Sequence, residues 1–197
     1  PLPTQKAIAA TLSCLDAKIE VNNKIIKNLE KQAQAIFKSW FVDFEPFQEG
    51  KFVESELGMI PEGWRVGTLG EIIKITSGKR PNARQESEDN RFRYPLHGAS
   101  GIMGYTTEYL YDEKIIVIGR VGTHGIVQEI EKACWPSDNT LVIKSMHYGF
   151  TALILKLIDY KVLNRGSTQP LITQTDIKNT KIAIPPKEYI NRYEKIY

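Results

Sequence analysis

The chain has 197 residues, of which 42% are hydrophobic and 25% are charged, as is ordinary for a soluble protein of one or two domains. Its formal charge of +3 permits nucleic-acid binding without requiring it. No apolar run approaches the roughly 18 residues of a membrane-spanning helix. Cys14 and Cys134 lie far apart and indicate no disulfide framework. We therefore expect a cytoplasmic protein that does not cross a membrane.

A long amphipathic helix is predicted over Ala7–Phe41. Its apolar positions recur at alternating steps of four and three residues, a spacing that keeps one face against a partner helix in a coiled coil. At 1.5 Å per residue the segment would be about 50 Å long, so another helix should cover that face. Asn22, its one polar member, either fixes register and partner choice or tilts out to solvent. The predicted seam is Ile8, Leu12, Leu15, Ile19, Asn22, Ile26, Leu29, Ala33, Ile36 and Trp40.

The ends of the chain share one pattern. Pro1-Leu2-Pro3-Thr4 reads as a helix start, with Thr4 as the predicted N-cap. Near the other end, Pro185-Pro186 leads into a segment in which Ile190, Tyr193 and Tyr197 restart the three–four spacing. Two similar helix starts therefore bracket the middle of the chain, and the second is cut short.

The middle of the chain alternates short strand-like runs with turns rich in glycine, proline and asparagine. One further helix is predicted at Phe150–Tyr160, and Leu69–Thr76 is predicted as a short helix or a strand. Without a regular strand–helix repeat, the fold class is α+β: a coiled-coil helix (1–46), a mixed α/β domain (47–186) and a helix stub (187–197). The predicted strands are Arg65–Leu69, Lys114–Gly119, Gly125–Ile130, Thr140–Lys144 and Lys181–Ile184, and His97 and Ser100 are placed on the glycine-rich turn before the second of them.

A basic stretch follows the first predicted strands. Between Lys74 and Arg93 there are six basic residues and three acidic ones, interleaved with glycine, proline, asparagine and serine. Such a loop can lie along DNA phosphates. The alternative is a solvated loop with scattered charges.

Residue patterns for catalysis or metal binding are weak. The three histidines, His97, His124 and His147, are separated by more than 20 residues each and lack nearby cysteine pairs, so no zinc site is indicated. Gly98–Gly104 superficially resembles a nucleotide loop but lies outside a βαβ unit. Asp176-Ile177-Lys178 lacks a partner acid and is interpreted as a surface pair. We therefore expect no cofactor and no metal.

Several short motifs occur in one order along nearly the whole chain. FKSWFVDF (Phe37–Phe44) and IPEGW (Ile60–Trp64) are quite specific, whereas GRVGT (119–123) and GSTQP (166–170) alone are weak. Together with PLPTQKAIA (1–9), LGEI (69–72) and Ile182–Pro186, this set resembles the specificity subunits of type I DNA restriction–modification systems.

The resemblance implies a non-catalytic DNA-recognition subunit. Such subunits contain two target-recognition domains and two conserved helices, which pair antiparallel and hold the domains apart on DNA. Each domain reads half of a bipartite site. The helices dock modification (methyltransferase) subunits, through which restriction subunits join. By this resemblance, 1–46 is the dimerisation and docking spacer, 47–186 a target-recognition domain and 187–197 the start of the second conserved helix.

The chain departs from the full pattern because it contains about half of such a subunit. It is expected to be either the C-terminal half of a longer protein or a half-length subunit that forms a homodimer through the long helix. In the second case the target should be a palindrome. A helix of about 50 Å spans about 15 base pairs, which limits the separation of the half-sites.

Candidate DNA-binding residues are those on predicted loops whose side chains suit base edges or phosphates. Arginine and lysine pair with guanine, asparagine and glutamine pair with adenine, and hydroxyls and lone charges mostly hold phosphates. The candidates are Lys79, Arg80, Asn82, Arg84, Arg91, Arg93, His97, Ser100, Arg120, Thr123, His124, Arg165, Ser167, Thr168 and Gln169.

Two other functions stay open at this stage. One is a coiled-coil scaffold with a protein-binding globular domain, which predicts binding that depends little on salt. The other is a free-standing nuclease or methyltransferase, which predicts activity from this chain alone. Loss of affinity with rising salt would instead indicate contacts to DNA phosphates.

Overall fold

The computed structural model describes residues 1–121, 125–163 and 171–197. It divides into two units, Pro1–Pro46 and Phe47–Tyr197. The predicted fold class is confirmed: a long N-terminal helix is followed in the chain by a sheet-containing α/β domain with short helices.

The first unit is dominated by helix α1, Leu2–Phe41, with 40 residues. The predicted N-cap at Thr4 is wrong, because the helix begins at Leu2 and Pro1 is its N-cap. Pro3 is tolerated in the first turn because the backbone N–H groups there have no partner within the helix. A short 3-10 helix, Glu45–Phe47, follows.

The predicted seam of α1 is exposed to solvent along most of its length. Its large aliphatic side chains keep 54–58% of their surface accessible. Helices in water owe most of their stability to the packing of an apolar face, so this stripe is suited to a partner helix. These side chains are Ile8, Leu12, Leu15, Ile19, Ile26 and Leu29.

The second unit contains the strands and the other helices. Its strands are β1 (Phe52–Ser55), β2 (Gly58–Pro61), β3 (Arg65–Thr68), β4 (Ile73–Ser77), β5 (Tyr94–Gly98), β6 (Gly101–Thr106), β7 (Ile115–Gly119), β8 (Val127–Ile130), β9 (Trp135–Pro136), β10 (Thr140–Ser145) and β11 (Lys181–Ile184). Its helices are α2 (Tyr148–Leu157), α3 (Tyr160–Leu163), α4 (Gln174–Lys178) and α5 (Lys187–Glu194), with a 3-10 helix at Leu69–Glu71.

The central sheet is antiparallel, with the strand order β4-β10-β7-β8. A second sheet has the order β6-β5-β9, in which β5 and β9 are parallel. Two-stranded antiparallel sheets form from β1 with β2 and from β3 with β11.

The core of this unit lies on both faces of the central sheet. Every residue of β7 is buried, as expected for a strand covered on two sides. Helix α2 packs on β7, β8 and β10, and α5 packs on α2. A buried cluster also forms from Ile115, Val117, Ile130, Cys134 and Val142, with Tyr111 packed against it.

Several predicted elements are corrected by the structure. Leu69–Thr76 contains both alternatives, since a 3-10 turn precedes a strand. The helix predicted at Phe150–Tyr160 spans Tyr148–Leu157, because Ile158 is extended with ψ of 130°. The hairpin β1–β2, strands β6 and β9, and helices α3 and α4 were not predicted from the sequence.

The interpretation of Asp176 as a surface residue is wrong. It is only 6% exposed, because it closes the first turn of α4. Its Oδ2 accepts hydrogen bonds from the backbone N–H of Thr173 at 2.9 Å and from the Thr173 hydroxyl at 2.6 Å. This reciprocal capping explains a buried carboxylate without any catalytic role.

Helix α2 is capped by a carboxylate from α5. Its N-cap His147 makes no side-chain capping hydrogen bond. Instead, the backbone N–H groups of Gly149 and Phe150 donate to the two carboxylate oxygens of Glu194 at 3.3 and 2.8 Å. Because N–H groups in the first turn of a helix lack partners within it, Glu194 ties α5 to the helix that packs on the central sheet.

We expect Glu194→Ala to lower the free energy of unfolding by about 1–2 kcal/mol, because two N–H groups lose a charged acceptor. Urea denaturation followed by circular dichroism measures the change. The matched control is Asn191→Ala at an exposed position of the same helix. Equal stability of the two variants would contradict the capping role.

Candidate nucleic-acid interface

Three distant segments of the chain meet at one end of the central sheet. Because β4 and β7 both run antiparallel to β10, their last residues lie beside the first residue of β10. The backbone N–H of Gly78 donates to the carbonyl of Thr140 at 3.0 Å, and that of Arg120 donates to the carbonyl of Asn139 at 3.0 Å. We call this region the sheet end: Gly78–Arg84, Arg120 and Ser137–Thr140.

The turn that enters β10 is held from several sides. The backbone N–H and the hydroxyl of Thr140 both donate to the carbonyl of Ser137, at 3.0 and 2.7 Å. The backbone N–H of Ser137 donates to the carbonyl of His97 at 2.9 Å. A Cβ at Gly78 would lie 2.1 Å from the carbonyl oxygen of Ser137, so only glycine permits this close approach.

A surface depression of about 470 Å³ opens at the sheet end. Its apolar side chains include Leu96 and Met103, and its polar groups include hydrogen-bond donors and acceptors. Such donors and acceptors can pair with the edges of nucleobases. The lining residues are Arg80, Pro81, Asn82, Ala83, Arg84, Leu96, Met103, Ser137, Asp138 and Asn139.

Ser137 carries an unsatisfied polar atom in this depression. The residue is 3% exposed, and its hydroxyl oxygen has no hydrogen-bond partner in the part of the chain that the structure describes. A buried hydroxyl without a partner costs free energy. A bound ligand or an ordered water molecule would satisfy it.

The predicted basic residues fall into two groups. Arg80 and Arg84 line the depression, are exposed, and form no ion pair among the described residues. Arg91 and Arg93 lie beside aromatic rings instead: the guanidinium of Arg93 is 5.0 Å from the ring centre of Tyr94, and its Nη2 donates to the Tyr94 hydroxyl at 3.0 Å. The structure brings the first group to the sheet end and gives the second local partners.

Asp89 shapes the turn next to Arg91. Its Oδ1 accepts hydrogen bonds from the backbone N–H groups of Phe92 at 2.6 Å and Arg91 at 2.8 Å. The hydrogen bond from Phe92, followed by those from Gln85 and Arg91, holds the pKa of this carboxyl below its usual range. The acidic residues of the basic stretch therefore include one with a structural role.

Lys79 contributes two backbone groups to the fold, and Asn82 contributes one side-chain group. The backbone N–H of Lys79 donates to the carbonyl of Pro136 at 3.0 Å, and its own carbonyl accepts from the indole N–H of Trp135 at 2.7 Å. The Nδ2 of Asn82 donates to Oε1 of Glu108 at 3.1 Å. Among the described residues, the ammonium of Lys79 and the amide oxygen of Asn82 have no partner and could contact a ligand.

The sequence predicted His97 to lie on the glycine-rich turn. This prediction is wrong, because His97 belongs to strand β5. Its Nδ1 lies 2.9 Å from Oε1 of Gln128, whose Nε2 donates to the carbonyl of Gly98 at 2.8 Å. Burial lowers the pKa of His97. Side chains alternate along a strand, so His97 and Leu96 lie on opposite faces. Ser100 is exposed in the turn between β5 and β6.

Arg120 directly follows β7 at the sheet end. Its carbonyl accepts from the backbone N–H of Ile172 at 3.0 Å, and its Nε is buried without a hydrogen-bond partner among the described residues. The neighbouring Val121 forms an isolated bridge with Leu171. Six other candidates lie outside the described residues: Thr123, His124, Arg165, Ser167, Thr168 and Gln169.

Ser137, Asp138 and Asn139 were not among the site residues predicted from the sequence. They carry no positive charge, so they do not stand out as a basic loop does. The available signal was the run PSDN between two apolar segments, which is typical of a tight turn.

A larger concavity of about 590 Å³ lies at the opposite end of the central sheet. Two of its three lysines are paired with carboxylates: Lys144 with Glu113 at 2.6 Å and Lys114 with Glu131 at 2.8 Å. Its positive charge is therefore largely neutralised within the protein. This distinguishes it from the depression at the sheet end.

The described part of the chain contains neither a metal-ligand cluster nor a membrane-spanning helix. Within residues 1–121, 125–163 and 171–197, no group of three histidine, cysteine or acidic side chains is arranged to hold a metal ion. Over these ranges, no helix combines the length and apolarity that crossing a membrane requires. Cys14 is exposed and Cys134 is buried, and both are free.

Comparisons with known proteins identify a family for this chain. Residues 61–192 match the family described as type I restriction modification DNA specificity domain. The MjaIX type I restriction enzyme specificity subunit of Methanocaldococcus jannaschii is 32% identical over 222 residues, covering 98% of this chain and 50% of that protein.

Two solved structures share the fold. The specificity subunit of the type I restriction–modification system of M. genitalium matches with a TM-score of 0.66 and 20% identity, over 96% of this chain and 52% of that one. A chain from a structural study of complex assembly and conformational transition in the type I restriction–modification system matches with a TM-score of 0.56 and 18% identity. The match covers 99% of this chain and 50% of that chain.

The matched family segment contains the whole sheet end, and its description defines a class of DNA specificity domains. The chain belongs to the type I restriction–modification DNA specificity family. It spans about half the length of the curated relatives it matches.

The burial of His97 predicts a pH dependence of stability. Its pKa in the folded protein is below the ordinary value of 6.5, so the unfolded chain takes up a proton more readily. The contribution of neutral His97 to the free energy of unfolding is therefore fully present above pH 6.5. It is lost as the pH falls from that value through the lower pKa of the folded protein.

We expect His97→Gln to show a smaller loss of unfolding free energy than wild type between about pH 7 and pH 5. Urea denaturation at several pH values measures this loss. Asn191→Ala, at an exposed position of α5, is the control and should follow the wild-type curve. Parallel curves for wild type and His97→Gln would show that His97 does not cause the pH dependence.

Proposed function

We propose that this chain is a DNA-recognition portion of a type I specificity subunit and directs modification and restriction subunits to a bipartite target. The observation that carries this proposal is the family match over residues 61–192. This segment contains Arg80 and Arg84, whose guanidinium groups form no ion pair among the described residues. The chain itself supplies binding and no catalytic step, and it acts in the cytoplasm.

In this proposal the sheet end faces the DNA. Arg80 and Arg84 are exposed without acidic partners among the described residues, so phosphates or guanine edges would supply their first counter-charges. The backbone N–H groups of Lys79 and Arg120 donate to the carbonyls of Pro136 and Asn139, so both residues lie beside the same depression. Phosphate contacts position the domain, and groups that face base edges select the sequence.

The long helix α1 supplies the second part of the proposed function. Its exposed seam pairs either with a second copy of the chain or with the other half of a longer subunit, and the paired helices dock the modification subunits. The half-length match to relatives is compatible with both arrangements. A homodimer would present two identical sheet ends and would read a palindrome.

The test is a selection of bound sequences from a random duplex library by the purified chain, with and without the modification subunit. A palindromic bipartite motif supports a homodimer, and a single short half-site supports one half of a longer subunit. Enrichment only with the modification subunit would show that the assembly supplies the affinity. No enrichment in either arm would contradict DNA recognition and favour the protein-binding scaffold.

We expect Arg80→Ala and Arg84→Ala each to weaken DNA binding, by about tenfold if the lost contact is worth about 1–2 kcal/mol. If the contact is to a phosphate, the slope of the logarithm of the binding constant against the logarithm of the salt concentration should become shallower by about one. Fluorescence anisotropy over a series of salt concentrations measures both. Lys132→Ala, an exposed lysine in the loop after β8, is the control and should bind like wild type.

We expect Leu15→Glu and Ile26→Glu to abolish pairing or docking, because a charge in an apolar helix interface is not solvated. Analytical ultracentrifugation alone and with the modification subunit measures assembly. Val21→Glu changes a similarly exposed apolar residue outside the seam and should assemble normally. Retained assembly by both seam variants would show that the seam is assigned to the wrong face.

A further inference from the structure

Asn139 has the properties of a base-reading residue that the sequence did not reveal. It is exposed and lines the depression at the sheet end. Its backbone carbonyl accepts a hydrogen bond from Arg120, whereas its side-chain amide makes no hydrogen bond among the described residues. Both the carbonyl and the NH2 of that amide are therefore available to one ligand.

The backbone beneath this side chain is fixed. Three hydrogen bonds constrain the turn through Ser137, and a fourth joins Asn139 to the end of β7. Gly78 closes the other side, where there is no room for a Cβ. The backbone that carries the Asn139 side chain is therefore in place before a ligand arrives, so ordering the contact requires only the rotation of the side chain.

The fold itself does not require an asparagine at this position. Asparagine is often selected for a left-handed backbone conformation, but Phe44 is the one non-glycine residue with positive φ among those described. The amide also differs from that of Asn82, whose NH2 already donates to Glu108. Asn139 is therefore the lining amide with both of its groups free.

Building on the proposed function, we propose that Asn139 recognises an adenine in the target by a bidentate pair of hydrogen bonds. Its NH2 donates to N7 of the base, and its carbonyl accepts from the exocyclic N6 amino group, a pairing that other bases do not offer in the major groove. Arg80 and Arg84 line the same depression and add positive charge beside the proposed base contact.

The competing explanation is a structural one, because asparagine also favours tight turns. Aspartate has the same turn preference but, when ionised, has no N–H to donate. Asn139→Asp therefore keeps the local preference and removes the adenine pattern. Asn139→Ala removes both, and Asn191→Ala on α5 is the control for a lost surface amide elsewhere.

The experiment is the duplex-library selection with wild type and the three variants, in the presence of the modification subunit. Wild type should show one A·T position at which Asn139→Ala and Asn139→Asp lose about tenfold or more of their discrimination. Asn191→Ala should match wild type. Replacing that adenine by 7-deazaadenine, which lacks N7, should weaken wild-type binding about fivefold or more without changing the affinity of Asn139→Ala.

Each outcome is informative. Unchanged base preferences in Asn139→Ala, or an adenine preference retained by Asn139→Asp, would overturn the assignment while leaving DNA recognition standing. Equal loss at every position would also overturn it, because that pattern indicates a displaced turn or a phosphate contact. Absence of any enrichment by wild type would overturn the proposed function and this inference together.

Discussion

The candidate interface depends on the backbone register at one end of the central sheet. The hydrogen bonds of Gly78 with Thr140 and of Arg120 with Asn139 join three segments that are remote in the sequence. A slip of one residue between paired strands would reverse which side chains face each surface. The close contact of Gly78 with Ser137 permits no side chain there, so this register and the shape of the depression are set together.

Stability and recognition are assigned to different residues. The buried aliphatic side chains of β7, with α2 on one face and the cluster around Cys134, supply the apolar burial. Each such side chain is worth about 1.5–3 kcal/mol, whereas an exposed ion pair is worth about 0–1 kcal/mol. Charged residues at the sheet end can therefore be substituted without loss of the fold.

The sequence predicted elements with strong periodicity and missed those defined by tertiary contacts. Lys114–Gly119 was predicted because continuous apolar residues indicate a buried strand, whereas the short strand β9 is stabilised by pairing with β5. Arg80, Asn82 and Arg84 were found through charge and polarity. Asn139 was missed because its proximity to them arises from strand pairing, which no local pattern encodes. The capping role of Asp176 likewise requires its three-dimensional neighbours.

The two proposed surfaces respond differently to salt. Added salt weakens contacts of arginine with phosphate, because counterions released into a more concentrated salt solution gain less entropy. It does not weaken an apolar seam such as that of α1. Pairing should therefore persist at salt concentrations that remove DNA. At lower salt, a paired assembly binds its second half-site as an intramolecular step, so its affinity can exceed that of one domain by orders of magnitude. A modest number of contacts at each sheet end is then sufficient for specific recognition, provided that the helices hold the two domains at the spacing of the target.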